Sequence, residues 1–317
     1  MKKDLDFTAI GYPSVDHMIP CEGEVSVGRT ALIRQYDDCH YYGGCNVNVA
    51  AFCGNMGMKT AVMMKVGKNF ESIGFRNFLE NCGVDLHGVK VIPEDYTSCS
   101  YLVSNGDGDH VTLFYPGAMD ERYPYCVDEE IICRSRLGII TVGNSDYNRD
   151  FMEKCHRNNV PILLGMKWDT DAFPKDFLGE LLRNCQILVM NEYEKEQIEK
   201  TFGLDEITDC FKSLAAQILV VTRGRHGSDV YQKAGPSFEM HSIPIADIGK
   251  RVDTAGVGDA YIAGFVKAYL DGKDVLTCGR LGTITSSFIV EKTGCLTNMQ
   301  NFDEVKKRYV MVYGQDY

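Results

Sequence analysis

No apolar run in this 317-residue chain approaches the roughly 18 residues that a membrane span requires, so no membrane partner is expected. No Cys-x-x-Cys occurs among the thirteen cysteines, and an odd number resists complete pairing. Several stand inside apolar stretches, Cys53 within Ala50–Gly54 and Cys185 beside Ile187–Val189. They read as reduced, buried small hydrophobes, which places the chain in a reducing compartment. The start, Met1-Lys2-Lys3-Asp4-Leu5-Asp6, has no apolar segment after it, so no secretory signal is read there and the expectation is a cytoplasmic protein. The 31 glycines follow no period and no heptads persist, which removes collagen-like and coiled-coil readings. Basic residues are in deficit, 33 against 44 acids, and the net charge of −11 should repel nucleic acid and anionic lipid. A local site for an anionic ligand is compatible with that balance. What is present is ordinary globular composition, 44% hydrophobic and 10% aromatic, enough to offset the entropy of ordering.

Short apolar runs recur along the chain: Phe7–Ile10, Ala61–Val66, Leu137–Val142, Val160–Leu164, Gln186–Met190 and Ile218–Thr222. Bounded by glycine or polar turns, they read as strands buried on both faces. Amphipathic stretches lie between them: Asn46–Met56, Asn69–Asn81, Arg149–Asn158, Asp176–Asn184, Glu192–Phe202 and Asp205–Leu214. This alternation predicts an α/β fold with a mostly parallel sheet between helices. Two segments break the rhythm. Ser98–Val103 and His110–Tyr115 flank Asn105-Gly106-Asp107-Gly108-Asp109 and read as a hairpin, and residues 12–42 are short on helical periodicity. They are expected to pair into a small sheet, from roughly 12–42 and 94–118, growing out of a single domain.

The strongest chemical signal is Asp253-Thr254-Ala255-Gly256-Val257-Gly258-Asp259. Ile262, Phe265, Val266 and Tyr269 follow at helical spacing, with Gly272 as a stop, so the glycines open a helix. Backbone N–H groups at such a start favour an anion. Asp259 beside them suits a base that takes a proton from a hydroxyl while the amides hold charge on a transferred phosphoryl group. Acids are also common at helix starts, and Asp259 alone could be no more than that. Thr222-Arg223-Gly224-Arg225-His226-Gly227 follows an apolar run directly, as turns near nucleotides do at the carboxyl edge of a parallel sheet. Asn191-Glu192-Tyr193-Glu194 places carboxylates past another strand, fit to hold Mg²⁺ through water or to form a charged first turn of helix. Gly43-Gly44-Cys45-Asn46-Val47-Asn48 opens a further helix, where Asn48 can bond hydroxyls, and Asp16 can accept from two hydroxyls of a polyol.

In this order the motifs resemble the ribokinase family, the PfkB carbohydrate kinases, over nearly the whole chain: Gly11…Asp16, Gly43-Gly44…Asn48, Asn191…Glu194, Thr222-x-Gly224-x-x-Gly227 and Asp253…Asp259. Val257 stands where that family usually has alanine, a position whose backbone N–H matters. The resemblance implies a ribokinase-like three-layer α/β/α domain with a β-sheet lid, and ATP-dependent transfer to a primary hydroxyl. Asp259 is then the base and the Gly256-Val257-Gly258 amides the anion hole. It further implies Mg²⁺ near Glu194, adenine near Thr283 and 286–294, and a monovalent cation, K⁺, bordering Asp253. Phe114-Tyr115-Pro116-Gly117-Ala118-Met119 and Gly279-Arg280-Leu281 are similar to segments of the nucleoside-kinase branch. That branch implies a nucleoside acceptor, with a sugar or a non-catalytic binding protein as the alternatives. Lid aromatics Tyr36, Tyr41, Tyr42, Phe114 and Tyr115 could stack on a base or simply pack the lid. An exposed lid sheet can also pair with a second copy, so a homodimer through the lid stands open beside a monomer. No Gly-x-Gly-x-x-Gly follows the first strand, which argues against a dinucleotide-dependent oxidoreductase.

Overall fold

The computed structural model describes residues 3–317 except 24, 36–38, 106–109, 125, 214, 247–248 and 250. The chain opens with β1 (Leu5–Ile10), β2 (Ser14–Glu22), β3 (Leu32–Ile33), β4 (Tyr41–Gly43), α1 (Cys45–Asn55) and β5 (Thr60–Gly67). Next come α2 (Phe75–Asn81), β6 (Val84–Asp85), β7 (Val89–Ile92), β8 (Cys99–Ser104) and β9 (His110–Tyr115). Alternation resumes with α3 (Glu129–Arg134), β10 (Ser135–Ile140), α4 (Ser145–Arg157), β11 (Ile162–Gly165), α5 (Lys175–Asn184), β12 (Ile187–Asn191), α6 (Glu192–Phe202), α7 (Cys210–Ser213) and β13 (Ile218–Thr222). The hairpin β14 (Ser228–Ala234) and β15 (Ser237–Ile243) precedes α8 (Val257–Leu270), α9 (Val275–Ile289) and α10 (Phe302–Tyr313).

The large sheet runs β15-β14-β13-β12-β11-β10-β1-β5-β6, with β7 also paired to β5. From β13 to β6 every pairing is parallel, and only the β13–β14 and β14–β15 pairings are antiparallel. Its central strands are apolar because helices cover both faces: all eight residues of β5 are buried. Helices α1, α8 and α9 pack together, while α3, α4 and α5 form another group. All thirteen cysteines are free thiols, and Cys53 and Cys185 lie in the core as the sequence suggests.

The smaller sheet runs β3-β2-β8-β9, with β4 paired to β2. It is the expected lid. Register puts Asp16 opposite Ser100, and Ser100 opposite Phe114. One step along, Met18 faces Leu102 and Leu102 faces Thr112. The period-2 alternation of strands therefore sends these six side chains to one face. The hairpin turn 106–109 and Tyr36 lie outside the described residues.

Several elements differ from expectation. The helix expected over Asn69–Asn81 begins only at Phe75, because Gly74 stands at φ 82 and residues 69–74 fold as turns. Over Asp205–Leu214 a 3₁₀ turn, Ile207–Asp209, precedes the four-residue α7, and Leu214 lies outside the described residues. There the Asp209 carboxylate accepts from Asp205 and Glu206 N–H, and Glu199 accepts from Ile207 N–H, so side chains compete with the helical ladder.

Candidate active site

The starts of α1 and α8 meet at the carboxyl edge of the parallel strands. Both are capped by glycine, Gly44 at φ 99 and Gly256 at φ 75, and neither has a side-chain cap. A Cβ on Gly256 would stand 2.8 Å from that of Cys295, so this position excludes side chains by conformation and by space. Neither the Gly258 nor the Asp259 N–H meets a carbonyl among the described residues, which leaves both donors open at the positive end of the helix. Asn48, buried on α1, donates from Nδ2 to Asp259 Oδ2 at 2.7 Å. Protein surrounds Asp259 everywhere except toward the cleft, and this burial pushes its carboxyl up to about 6 against the opposing pull of Asn48, Cys45 and the charge of Lys167. Such a group is ionised at neutral pH yet still basic enough to accept a proton.

A cleft of about 700 Å³ opens over this pair, roofed by the lid residues Asp16, Met18, Ser100, Leu102, Thr112 and Phe114. Asp16 is buried. Ser14 Oγ donates to its Oδ1 at 2.5 Å, and Ser14 and Ser100 hydroxyls bond each other at 2.9 Å. A Cβ on Gly43 would lie 2.7 Å from Asp16 Oδ2, so glycine there leaves the second oxygen room. Burial raises the Asp16 carboxyl above its ordinary value. Phe114 packs on Tyr12 with centroids 5.1 Å apart, and both line the cleft. The other described lid aromatics do not line it. Tyr42 stacks on Phe75 and donates to Ile73 O, Tyr115 donates to Asp95, and Tyr41 lies against Gly294.

On the far side, Asn191, Glu194 and Thr222 line the cleft. Asn191 and Glu194 form a reciprocal capping box for α6, Glu194 N–H to Asn191 Oδ1 at 2.8 Å and Asn191 N–H to Glu194 Oε2 at 2.7 Å. The charged first turn of helix is thus realised, and Glu194 is nonetheless buried with its carboxyl raised by desolvation. Gly224 and Gly227 close the turn after β13, Arg223 N–H to Gly227 O at 2.7 Å, and do not line the cleft. Val257, the first residue of α8, and Gly43 also stand behind the lining residues. Thr283 is buried on α9, away from the cleft wall. Ser286 donates to Val257 O at 3.1 Å and Gly294 N–H to Asp253 Oδ2 at 2.9 Å, so residues 286–294 brace the start of α8. Asp253 Oδ1 accepts from Ala255 N–H at 2.9 Å, which leaves each of its oxygens with a backbone partner. Among the described residues no group of three or more His, Cys, Asp or Glu side chains could hold a metal ion.

Sequence reasoning missed Cys45, Cys295, Ser14, Ser100 and Lys167, all of them lining residues. Lys167 follows the run Val160–Leu164 closely, so its place past a parallel strand was a usable signal. Cys295 carried none, because it reaches the cleft only through the folding of α8 against the following segment.

The pfkB family carbohydrate kinase model matches residues 10–301. The chain belongs to that family. The nucleoside kinase of Methanocaldococcus jannaschii is 30% identical over 304 residues, covering 95% of each chain. The nucleoside kinase of Methanothermobacter thermautotrophicus is 27% identical, covering 100% of this chain and 99% of that one. The crystal structure of the Methanocaldococcus enzyme, an archaeal member of the ribokinase family, superposes with a TM-score of 0.86 over 98% of this chain and 100% of that chain, at 26% identity. A Burkholderia thailandensis nucleoside kinase in complex with inosine gives 0.84 at 20% identity, over 98% of this chain and 100% of that one, a likeness of fold. This pfkB kinase is therefore an ATP-dependent phosphotransferase with an alcohol acceptor, in the nucleoside and sugar class. No helix among the described residues is long and apolar enough to cross a membrane.

Proposed function

We propose that this kinase phosphorylates the 5′-hydroxyl of a nucleoside. The observation that carries the reading is Asp259 at the uncapped start of α8, gripped by Asn48 at 2.7 Å and facing Asp16 across one cleft. Asp16 orients ribose hydroxyls. The acceptor O–H gives its proton to Asp259, its oxygen bonds the γ-phosphorus, and the bond from that phosphorus to ADP breaks. Amides of Gly256 and Gly258 hold the charge on the transferring group, and Asn48 fixes the base. The Val257 N–H beside them lies 3.4 Å from Thr254 O and joins them only by releasing it. Asn191, Glu194 and Thr222 border the nucleotide, with Gly224, Gly227 and Thr283 shaping that end from behind. Mg²⁺ neutralises phosphate charge when bound. One carboxylate, Glu194, with no protein cage around it fits an ion that keeps its waters and arrives on phosphates. K⁺ beside Asp253 would steady the 253–255 turn, and turnover in K⁺ against Na⁺ salts reads that.

Two things favour a nucleoside over a free sugar. Both curated relatives above are nucleoside kinases. Beyond Asp16 the roof continues as Met18, Leu102 and Phe114, apolar surface that a base would cover and a free sugar would leave wet. Coupled ATP-consumption assays with adenosine, inosine, cytidine, ribose and fructose test it. At least one nucleoside should exceed free ribose by about a hundredfold in kcat/KM, and the reverse order would assign a sugar kinase. The lid's outer face carries Tyr101, Val111 and Leu113, exposed by 40%, 50% and 57%. A second copy of this chain could cover it, because burying exposed apolar side chains against the same face of a twofold partner is favourable. Sedimentation at twice 35.5 kDa is the expected result, and a monomer at micromolar concentration removes the dimer.

A further inference from the structure

The residues lining the cleft include four acids, Asp16, Asp169, Glu194 and Asp259, and one cationic side chain, Lys167. A site that must accept a polyphosphate is thus negative in its side chains. Within it, the open N–H groups of Gly258 and Asp259 at the positive end of α8 favour an anion. Lys167 stands just past β11, and its charge reaches Asp259 at the α8 start.

The segment that carries it is fixed at several points. Met166 N–H continues the ladder to Val189 O at 2.8 Å. Trp168 N–H donates to the Glu194 carboxylate. Asp169 Oδ1 accepts from Asp171 and Ala172 N–H at 3.0 and 2.9 Å, closing the turn that follows. Between these anchors the Lys167 ammonium makes no ion pair within 4.0 Å among the described residues. Its charge nonetheless bears on Asp16, Glu194, Asp259 and Cys45, so it stands in the field of both ends of the cleft without being claimed by either. Anchored backbone with an unengaged cation at its tip is the arrangement that electrostatic stabilisation of a travelling charge needs.

We infer that Lys167 is a catalytic residue that contacts the transferring phosphoryl group together with the open amides at the α8 start. The inference rests on the kinase reading above. Its ammonium meets the equatorial oxygens while the acceptor oxygen bonds phosphorus and ADP departs, and no proton leaves the lysine. Phosphoryl transfer is mostly positioning and charge stabilisation, so a cation there should weigh on kcat more than on acceptor binding.

The competing account makes Lys167 a counter-charge that merely tunes the acids. Lys167→Met and Lys167→Arg separate the two, measured across pH with kcat and both KM values. Trp168, the single tryptophan, reports binding of ATP and acceptor by its emission, and thermal melting checks the fold. Removing the charge raises the Asp259 carboxyl in either account, so the acid limb moves up. On the alkaline plateau, at about pH 8.5 where that base is ionised in every variant, Met is expected to lower kcat roughly 10²-fold with acceptor KM within threefold, and Arg to restore part of it. A shifted limb with an unchanged plateau overturns the inference while leaving the kinase reading standing. A wild-type protein that transfers phosphate to none of the acceptors above removes that reading, and the role of Lys167 with it.

Discussion

On the floor of the cleft, Asn48 holds Asp259 at 2.7 Å, and two helix starts capped only by glycine border the same space. On the roof, Met18, Leu102 and Thr112 stand in register as a mostly apolar row, with Asp16 as the single charge. Three helices away from this point start differently. Asn144, Asp274 and Asn301 close α4, α9 and α10 with side-chain oxygens, satisfying donors that α8 leaves open. The contrast separates chemistry from selection. The floor is polar, rigid and held by the large sheet, whereas the lid offers surface and one anchoring carboxylate.

If that division holds, floor substitutions read in kcat and roof substitutions in KM. The largest effect belongs to Asp259→Asn, which keeps the bond from Asn48 but cannot take a proton. Turnover should fall roughly 10²–10⁴-fold with acceptor binding retained. Its melting temperature should rise by a few degrees at pH 8. The folded carboxyl sits at about 6 and the unfolded one near 3.8, so ionising it opposes folding above that window. The gain over wild type therefore shrinks as pH falls from 6 toward 4, and scanning calorimetry at several pH values checks the sign.

Gly256→Ala comes next. A positive φ and the Cys295 contact together should cost about 1–3 kcal/mol of stability and roughly 10–100-fold in turnover, read by melting and steady-state kinetics. Asp16→Ala should raise acceptor KM by about 10–100-fold, the worth of a charged hydrogen bond to hydroxyls, with a smaller change in kcat. Phe114→Ala is the mildest, at most about tenfold in nucleoside KM. A roof substitution that lowered kcat and spared KM would break the division.

The parallel sheet was legible because β5, β10, β12 and β13 are continuous apolar runs that little else accommodates. The lid hairpin was legible from its turn residues. β14 and β15 were missed because half their residues are exposed and neither forms an apolar run. α9 escaped because its two glycines, three threonines and two serines hide a buried helix that packs on α8. At the site, Asp16, Asn48 and Asp259 were found through glycine-bearing helix starts and turns, which chain order displays. Ser14, Ser100 and Lys167 were not, since cross-strand register and the convergence of strand ends bring them in. The Asn191–Glu194 motif shows the limit from the other side, for one short pattern served both a capping box and a cleft wall.

The proposed chemistry turns on the ionisation of the Asp259 carboxyl. The dependence of kcat/KM on pH for the best nucleoside reads it directly. A single-proton acid limb centred near 6, carried to higher pH in Asn48→Ala where the donor that favours the charged form is gone, is the predicted result. A profile flat from about pH 5 to 8, or a limb near 4 that Asn48→Ala leaves in place, would contradict a base at Asp259.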